Sequence, residues 1–166
     1  MSARQRSAFG IAPLALGLAW FAGLYGLYAQ WPALSRWFIE DLTVRPAAWV
    51  LQWLAPALHA QAVGSRLVVD GGGLNVLQGC EGADLALLSA SAALAAPMPW
   101  RWRLLGLLLM LGAAFGLNQL RLLILLKAHL HHPRWFDLLH TLWLPLGMVL
   151  LLAALLFTWT ARFARR

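Results

Sequence analysis

Long apolar stretches constrain this chain more than any other feature of its sequence. Three runs, Phe9–Ala29, Leu104–Leu126 and Leu138–Thr160, are long enough to cross a bilayer, which takes about 20 residues. A fourth, Ala83–Ala96, is shorter; starting it at Cys80 gives roughly 17 residues, the lower limit for a span. We therefore predict an all-α integral membrane protein, a bundle of about four transmembrane helices.

Composition supports this class and excludes others. The chain is 61% hydrophobic and 11% charged, whereas a soluble domain carries about 25% charged residues. Its net charge of +7 comes from basic residues at the ends of apolar runs, without the basic stripe that tracks a phosphate backbone. We predict no nucleic-acid partner and one membrane domain over residues 1–166. Within it, residues 1–30 form the first span, 31–79 an outer-face segment and 80–166 a core of three spans.

The positions of the basic residues predict an orientation, because cytoplasmic loops are enriched in Lys and Arg. Three clusters assign both termini and the second turn to the cytoplasmic side: Arg4 and Arg6; Arg101 and Arg103; Arg162, Arg165 and Arg166. The first run is too long for a typical signal-peptide core and no cleavage site follows it, so we expect an uncleaved anchor. All six acidic residues fall on or near the opposite side.

This orientation brings three chemically capable side chains to one depth in the outer leaflet. Cys80, the only cysteine, is predicted to start the second helix, and His140 to lie in the first turn of the fourth. Arg121 is expected about 8 Å below the outer end of the third helix, taken as Leu126. Each also has an ordinary interpretation: a lone cysteine is a small apolar residue, and Arg121 can extend its charged group to water at the interface.

The neighbours of these residues suggest supporting roles. Asn118 shares a helix face with Arg121 and is expected to orient a neighbour. Asp137 precedes His140 by three residues and could orient it. Glu81 and Asp84 would offset the positive end of the helix dipole, although carboxylates beside a thiol also oppose thiolate formation.

Three further histidines, His129, His131 and His132, fall in the predicted loop before His140. We interpret this loop as a polar connector, because no partner ligands stand at recognisable metal-binding spacing. We predict neither a metal nor a cofactor.

The segment before Cys80 is predicted to lie on the outer membrane face. Pro32–Gln61 alternates aromatic, aliphatic and charged residues, as an amphipathic interfacial helix does. Two short strands, Arg66–Asp70 and Leu74–Leu77, are predicted to form a hairpin through a glycine turn. Gly79 and Gly82 then allow close backbone approach around the cysteine.

The ordered motifs resemble those of the exosortase/archaeosortase family. The resemblance rests on Cys80-Glu81-Gly82 at a helix start, Asn118-Gln119-Leu120-Arg121 late in the next span, and His140 at the start of the last. It covers about Val63 to Leu150. Most exosortases are longer, with around eight spans, so the chain is similar to short forms such as the exosortase H type.

The resemblance implies a membrane-embedded cysteine transpeptidase or peptidase in a bacterial cytoplasmic (inner) membrane, with its active site on the outer side. Its substrates would be exported proteins whose C-terminal sorting signal, of the PEP-CTERM kind, includes a transmembrane helix. Membrane lipid would surround the enzyme. Cys80 would form a thioester, His140 would act as general acid or base, and Arg121 would stabilise the oxyanion or position the carbonyl. Asn118, Gly82 and Asp137 would support them.

Other functions remain open at this stage. A non-enzymatic membrane scaffold or assembly factor would use the same cluster structurally, and a hydrolase would release substrates without transfer. An ion carrier would use Arg121 and the histidines. A disulfide oxidoreductase is disfavoured, because the chain has no second cysteine to resolve an intermediate.

Overall fold

The computed structural model of the protein describes residues 11–163. Several predictions on orientation fall outside that range, since they depend on Arg4, Arg6, Arg165 and Arg166. The predicted start of the first span at Phe9 also lies outside the described residues.

The described chain is mostly helical. Its helices are α1 (Ile11–Gln30), α2 (Pro32–Ile39), α3 (Arg45–Leu54), α4 (Ala83–Ala95), α5 (Trp100–His131), α6 (Pro133–Leu138) and α7 (Leu144–Phe163). A π-helical turn, Glu40–Val44, joins α2 to α3, and a second, Leu139–Trp143, joins α6 to α7. A short 3₁₀ turn, Pro56–Leu58, follows α3.

Three helical stretches in residues 11–163 are long and apolar enough to cross a membrane. They are α1, α5 and the continuous Pro133–Phe163 stretch that contains α6 and α7. This agrees with an all-α membrane protein. Helix α4 has 13 residues, which at 1.5 Å per residue gives about 20 Å. The fourth span therefore stays a prediction.

The prediction that a helix starts at Cys80 is wrong. Helix α4 begins at Ala83, and Cys80 lies in the turn before it. Gly79 and Gly82 have φ of +90° and +77°, in the left-handed region that a right-handed helix cannot include. The cysteine is thus held by a glycine-bounded turn.

The predicted histidine loop is also wrong. Helix α5 continues to His131 and α6 begins at Pro133, so only His132 connects them. Proline cannot continue α5 but fits the first turn of the next helix. Arg121 consequently lies ten residues, about 15 Å, before the end of α5, deeper than expected. His140 lies about two turns into its helix rather than in the first.

The described residues group into two compact units, each assembled from separated stretches of chain. The first comprises residues 11–30, 84–115 and 149–163. There the Trp102 ring stacks on Phe163 at 4.1 Å between centroids, and Trp159 Nε1 donates to the Trp102 carbonyl at 3.2 Å. Gly106 lies beneath the Trp159 indole, where a Cβ would approach Nε1 to 2.6 Å. This unit also contains an apolar cleft of about 540 Å³.

The second unit comprises residues 31–83 and 116–148. It contains a three-stranded antiparallel sheet of β1 (Gln61–Val63), β2 (Arg66–Val69) and β3 (Gly72–Asn75), in the order β1-β2-β3. The predicted hairpin is confirmed, but its second strand begins at Gly72 rather than at Leu74 and ends at Asn75. Strand β1 was not anticipated. The apolar core of this unit joins α2, α3, the strands and α5; its buried members include Ile39, Val44, Leu51, Leu67, Val76, Leu122 and Leu126.

The predicted amphipathic helix before the sheet is helical but not continuous. Its inner face buries Ala47, Ala48 and Leu51, while Trp49 and Trp53 on α3 are exposed and contact each other edge to face. The π turn between α2 and α3 buries Thr43 and Val44 within the same unit. The segment is therefore part of the packed body of this unit.

Candidate active site

Cys80 and His140 meet directly in the second unit. The Cys80 sulfur lies 3.4 Å from His140 Nε2, although 60 residues separate them in sequence. Both side chains are half-buried. At this distance an imidazole nitrogen can take the thiol proton, as an activated cysteine nucleophile requires.

Arg121 holds the backbone of the cysteine. Its Nη1 donates to the Cys80 carbonyl at 3.3 Å, and the side chain is 7% exposed. A guanidinium has five N–H donors, so this bond leaves others for a second acceptor. Since the charge is buried in contact with the Cys80 turn, Arg121 does more here than extend to the membrane surface.

The carbonyl of Glu81, next to the cysteine, is held from two directions. Asn118 Nδ2 donates to it at 2.6 Å from α5, and Thr43 Oγ1 donates at 3.4 Å from the first π turn. Both donors are buried, at 4% and 2% exposure, as is Glu81 itself. A buried carbonyl with two donors is strongly fixed, because losing them would leave it unsatisfied. Two consecutive carbonyls of the cysteine turn are thus tied to other elements.

Gly82 completes this arrangement. A Cβ at Gly82 would lie 2.8 Å from both Cγ and Oδ1 of Asn118, closer than such atoms pack. The absence of a side chain therefore lets Asn118 reach over the turn and bond to Glu81. The left-handed φ of Gly82 independently favours glycine.

Two π-helical turns supply residues to this site. Glu40–Val44 supplies Thr43, and its Leu42 carbonyl accepts from Gln119 Nε2 at 3.2 Å. Leu139–Trp143 contains His140. Such turns occur often at functional sites, because the wider turn shifts a side chain away from its regular helical position.

The predicted site residues fall into two groups. Cys80, Arg121, His140, Asn118 and Gly82 are linked by the contacts above. Asp137 is different: within residues 11–163 no hydrogen bond joins its carboxylate to His140, and its side chain is exposed. Its backbone carbonyl instead accepts from Thr141 Oγ1 at 2.6 Å.

Sequence reasoning missed two residues that contact the catalytic candidates or their backbone. Thr43 contacts Glu81 across 38 residues of sequence, and nothing in the pattern of its amphipathic segment distinguishes it. Phe136 stacks on the His140 ring, with centroids 5.6 Å apart and planes 19° apart. Its spacing of four residues from His140 was the available signal, since side chains so spaced meet on a helix.

The described residues contain no group of three or more His, Cys, Asp or Glu side chains placed to hold a metal ion.

Removing the Asn118 amide should loosen the cysteine turn. In Asn118→Ala the Glu81 carbonyl keeps only the longer Thr43 contact, so we expect the second unit to lose about 1–3 kcal/mol of stability. We also expect slower alkylation of Cys80. Thermal unfolding in detergent, followed by tryptophan fluorescence, and iodoacetamide labelling measure the two effects.

The adjacent residue offers the matched control. Gln119→Leu also removes a buried amide that bonds to a backbone carbonyl, but at Leu42 rather than beside the cysteine. We expect it to destabilise the protein and leave the labelling rate of Cys80 near the wild-type value. Equal labelling by wild type and Asn118→Ala would contradict the proposed role of Asn118.

Comparison with known proteins adds no relative. No protein-family model matches the chain, and no curated protein or solved structure is similar enough to count as a match. The functional interpretation accordingly rests on the site geometry and on the order of the motifs in the sequence.

Proposed function

We propose that the protein is a membrane-embedded cysteine peptidase or transpeptidase of the exosortase type. It would cleave exported proteins at their C-terminal sorting signals and pass the remaining N-terminal part to water or to another acceptor. The observation that carries the proposal is the 3.4 Å contact between the Cys80 sulfur and His140 Nε2, on a turn whose backbone Arg121 binds. The motif order Cys-x-Gly, Asn-x-x-Arg, His supports the same assignment.

In the first half of the proposed reaction His140 Nε2 takes the proton from Cys80, and the thiolate attacks the scissile carbonyl carbon. A carbon–sulfur bond forms while the carbonyl oxygen gains negative charge. Arg121 is placed to offset this charge through N–H groups not used on the Cys80 carbonyl. When the carbon–nitrogen bond breaks, the proton on His140 passes to the leaving amine, which departs with the C-terminal fragment.

In the second half an acceptor hydroxyl, amine or water attacks the thioester. His140 removes the acceptor's proton, the new bond to the carbonyl carbon forms, and the carbon–sulfur bond breaks. The thiolate that leaves recovers the proton from His140, so the enzyme returns to its starting state. Water as acceptor gives hydrolysis, and any other acceptor gives a transferred product.

The predicted orientation would place this chemistry on the outer side of a bacterial cytoplasmic membrane. Arg101, Arg103 and Arg162 carry the basic clusters within the described residues, and each lies near an end of an apolar helix. Because basic residues favour the cytoplasmic side, those ends would be cytoplasmic and both termini would lie inside.

A covalent intermediate tests the proposal directly. We would co-express the full chain with an exported reporter that ends in a PEP-CTERM-like signal, and isolate the enzyme under acidic denaturing conditions. We expect a covalent adduct between Cys80 and the N-terminal part of the reporter. Neutral hydroxylamine should break that thioester and leave the reporter with a C-terminal hydroxamate, which mass spectrometry identifies.

The competing functions give different results in the same experiment. Full-length reporter with no adduct would contradict the peptidase proposal and favour a scaffold. Cleaved reporter that ends only in a free carboxylate would restrict the activity to hydrolysis. Reporter with an added mass at its new C-terminus would establish transfer and define the acceptor.

A further inference from the structure

The orientation of His140 requires an explanation, because Asp137 does not supply it. An imidazole that works with a cysteine is usually held by a third group. Among the described residues, the His140 side chain contacts the Cys80 sulfur and an aromatic ring. The carboxylate three residues earlier makes no hydrogen bond to it in residues 11–163. Packing against the aromatic ring is the contact that can fix the plane of the imidazole.

Phe136 provides that packing. Its ring lies nearly parallel to the His140 imidazole, with planes 19° apart and centroids 5.6 Å apart. This is an offset-stacked arrangement, which aromatic pairs prefer and which is worth about 0.5–1.5 kcal/mol beyond buried area. A stacked neighbour limits rotation of the imidazole about its bond to Cβ, and that rotation determines where Nε2 points.

The Phe136 ring is itself held. It is half-buried against the apolar core of the second unit. His129, from the last turn of α5, also contacts the Phe136 ring, with centroids 5.6 Å apart and planes 68° apart, an edge-to-face geometry. His129, Phe136 and His140 thus form a row of three rings that ends at the cysteine sulfur. A role for His129 follows that needs neither a metal nor proton transfer.

We propose that Phe136, braced at its edge by His129, is the positioning residue that holds His140 Nε2 against the Cys80 sulfur. The catalytic meaning of this contact rests on the proposed function, whereas the contact itself can be tested without a substrate. Phe136 touches neither the sulfur nor any reacting atom in this proposal and acts only through His140.

The test measures how fast iodoacetamide alkylates Cys80 in the full chain, purified in detergent without substrate. His140→Ala should slow alkylation, because it removes the group that takes the thiol proton. Phe136→Leu keeps an apolar side chain but loses the ring, and should slow alkylation about tenfold through misplacement of the imidazole. Phe136→Tyr keeps the ring and should react at close to the wild-type rate.

A double-mutant cycle separates positioning from general damage. In the His140→Ala background, Phe136→Leu should cause no further loss, because the group it positions is gone. An equal loss in both backgrounds would overturn the proposal, as would wild-type rates for Phe136→Leu or for His140→Ala. Phe38→Leu is the control, because it removes an aromatic ring from the same unit but not from the row of three rings. It should leave the alkylation rate near the wild-type value.

If Phe136→Leu does not fold, variants of His129 provide a second test of the same proposal. His129→Phe preserves an aromatic brace without a titrating nitrogen and should leave the rate near wild type. His129→Ala should slow alkylation about threefold, less than Phe136→Leu, since it removes only the edge contact. If His129→Phe reacts as slowly as His129→Ala, the brace is refuted.

This experiment and the hydroxylamine experiment fail independently. If Phe136→Leu leaves the alkylation rate of Cys80 unchanged and the thioester adduct still forms, only the positioning role of Phe136 is refuted. If the double-mutant cycle gives the expected rates but no thioester adduct forms, the positioning of His140 by Phe136 stands and the peptidase function is refuted.

Discussion

Cys80→Ala is expected to lower cleavage of a sorting-signal reporter by about 10⁴-fold or more, which is loss of detectable processing. The sulfur forms the covalent bond in the proposed reaction, and no second cysteine exists in the chain to replace it. The methyl group of alanine leaves His140 and Arg121 in place but gives them no nucleophile. Immunoblotting of the reporter for its full-length and cleaved forms measures the effect.

Two comparisons make this result specific to the nucleophile. Membrane levels and thermal unfolding of Cys80→Ala should match wild type, because the side chain is half-buried and its thiol bonds only to His140 in the described residues. Cys80→Ser should also be inactive, since a hydroxyl is a far weaker nucleophile than a thiolate at neutral pH. Normal processing by either stably inserted variant would exclude the covalent mechanism and favour a scaffold.

Gly82→Ala is expected to cause the largest structural defect of any single-methyl addition near the site. The left-handed φ of +77° costs a residue with Cβ about 1–2 kcal/mol. The added methyl would also press on Asn118 at 2.8 Å, and such overpacking costs about 1–3 kcal/mol. Asn118 would have to release the Glu81 carbonyl, so both thermal stability and Cys80 alkylation should fall.

Gly79→Ala is the matched control, because it lies on the other side of the same cysteine. Its φ of +90° imposes a similar backbone cost, but no atom lies within 4 Å of the added methyl. We expect Gly82→Ala to lose more stability than Gly79→Ala, by the overpacking cost of about 1–3 kcal/mol. Equal losses in the two variants would show that contact with Asn118 has no energetic weight.

Much of the fold follows from simple periodicity and composition. The apolar runs predicted the end of α1 and both ends of α5 and of the Pro133–Phe163 stretch to within five residues, because bilayer thickness sets a minimum length that apolar sequence satisfies. The glycine turn between β2 and β3 likewise follows from local backbone preferences. The predicted orientation put Cys80 and His140 at one depth in the outer leaflet, and the structure brings their side chains into contact.

Other features depend on packing that no local pattern encodes. The start of α4 was predicted at Cys80 because that start gives the roughly 17 residues that a span needs, while the left-handed φ of Gly82 moves the helix start to Ala83. The hydrogen bond from Thr43 to Glu81 arises from the way the π turn packs within the second unit. Asp137 was expected to orient His140 because it precedes the histidine by three residues, whereas the stacking of Phe136 on His140 depends on ring orientations that spacing alone does not fix.

The 60 residues between Cys80 and His140 also set an order of events during synthesis. At about 5–20 residues per second, the cysteine leaves the ribosome some 3–12 seconds before its histidine. Arg121 follows the cysteine after 41 residues and His140 only after 60, so through that interval the thiol lacks the imidazole that contacts it in the folded chain. In the proposed reaction, a chain that ends before residue 140 would lack the group that activates the thiol and would therefore be inactive.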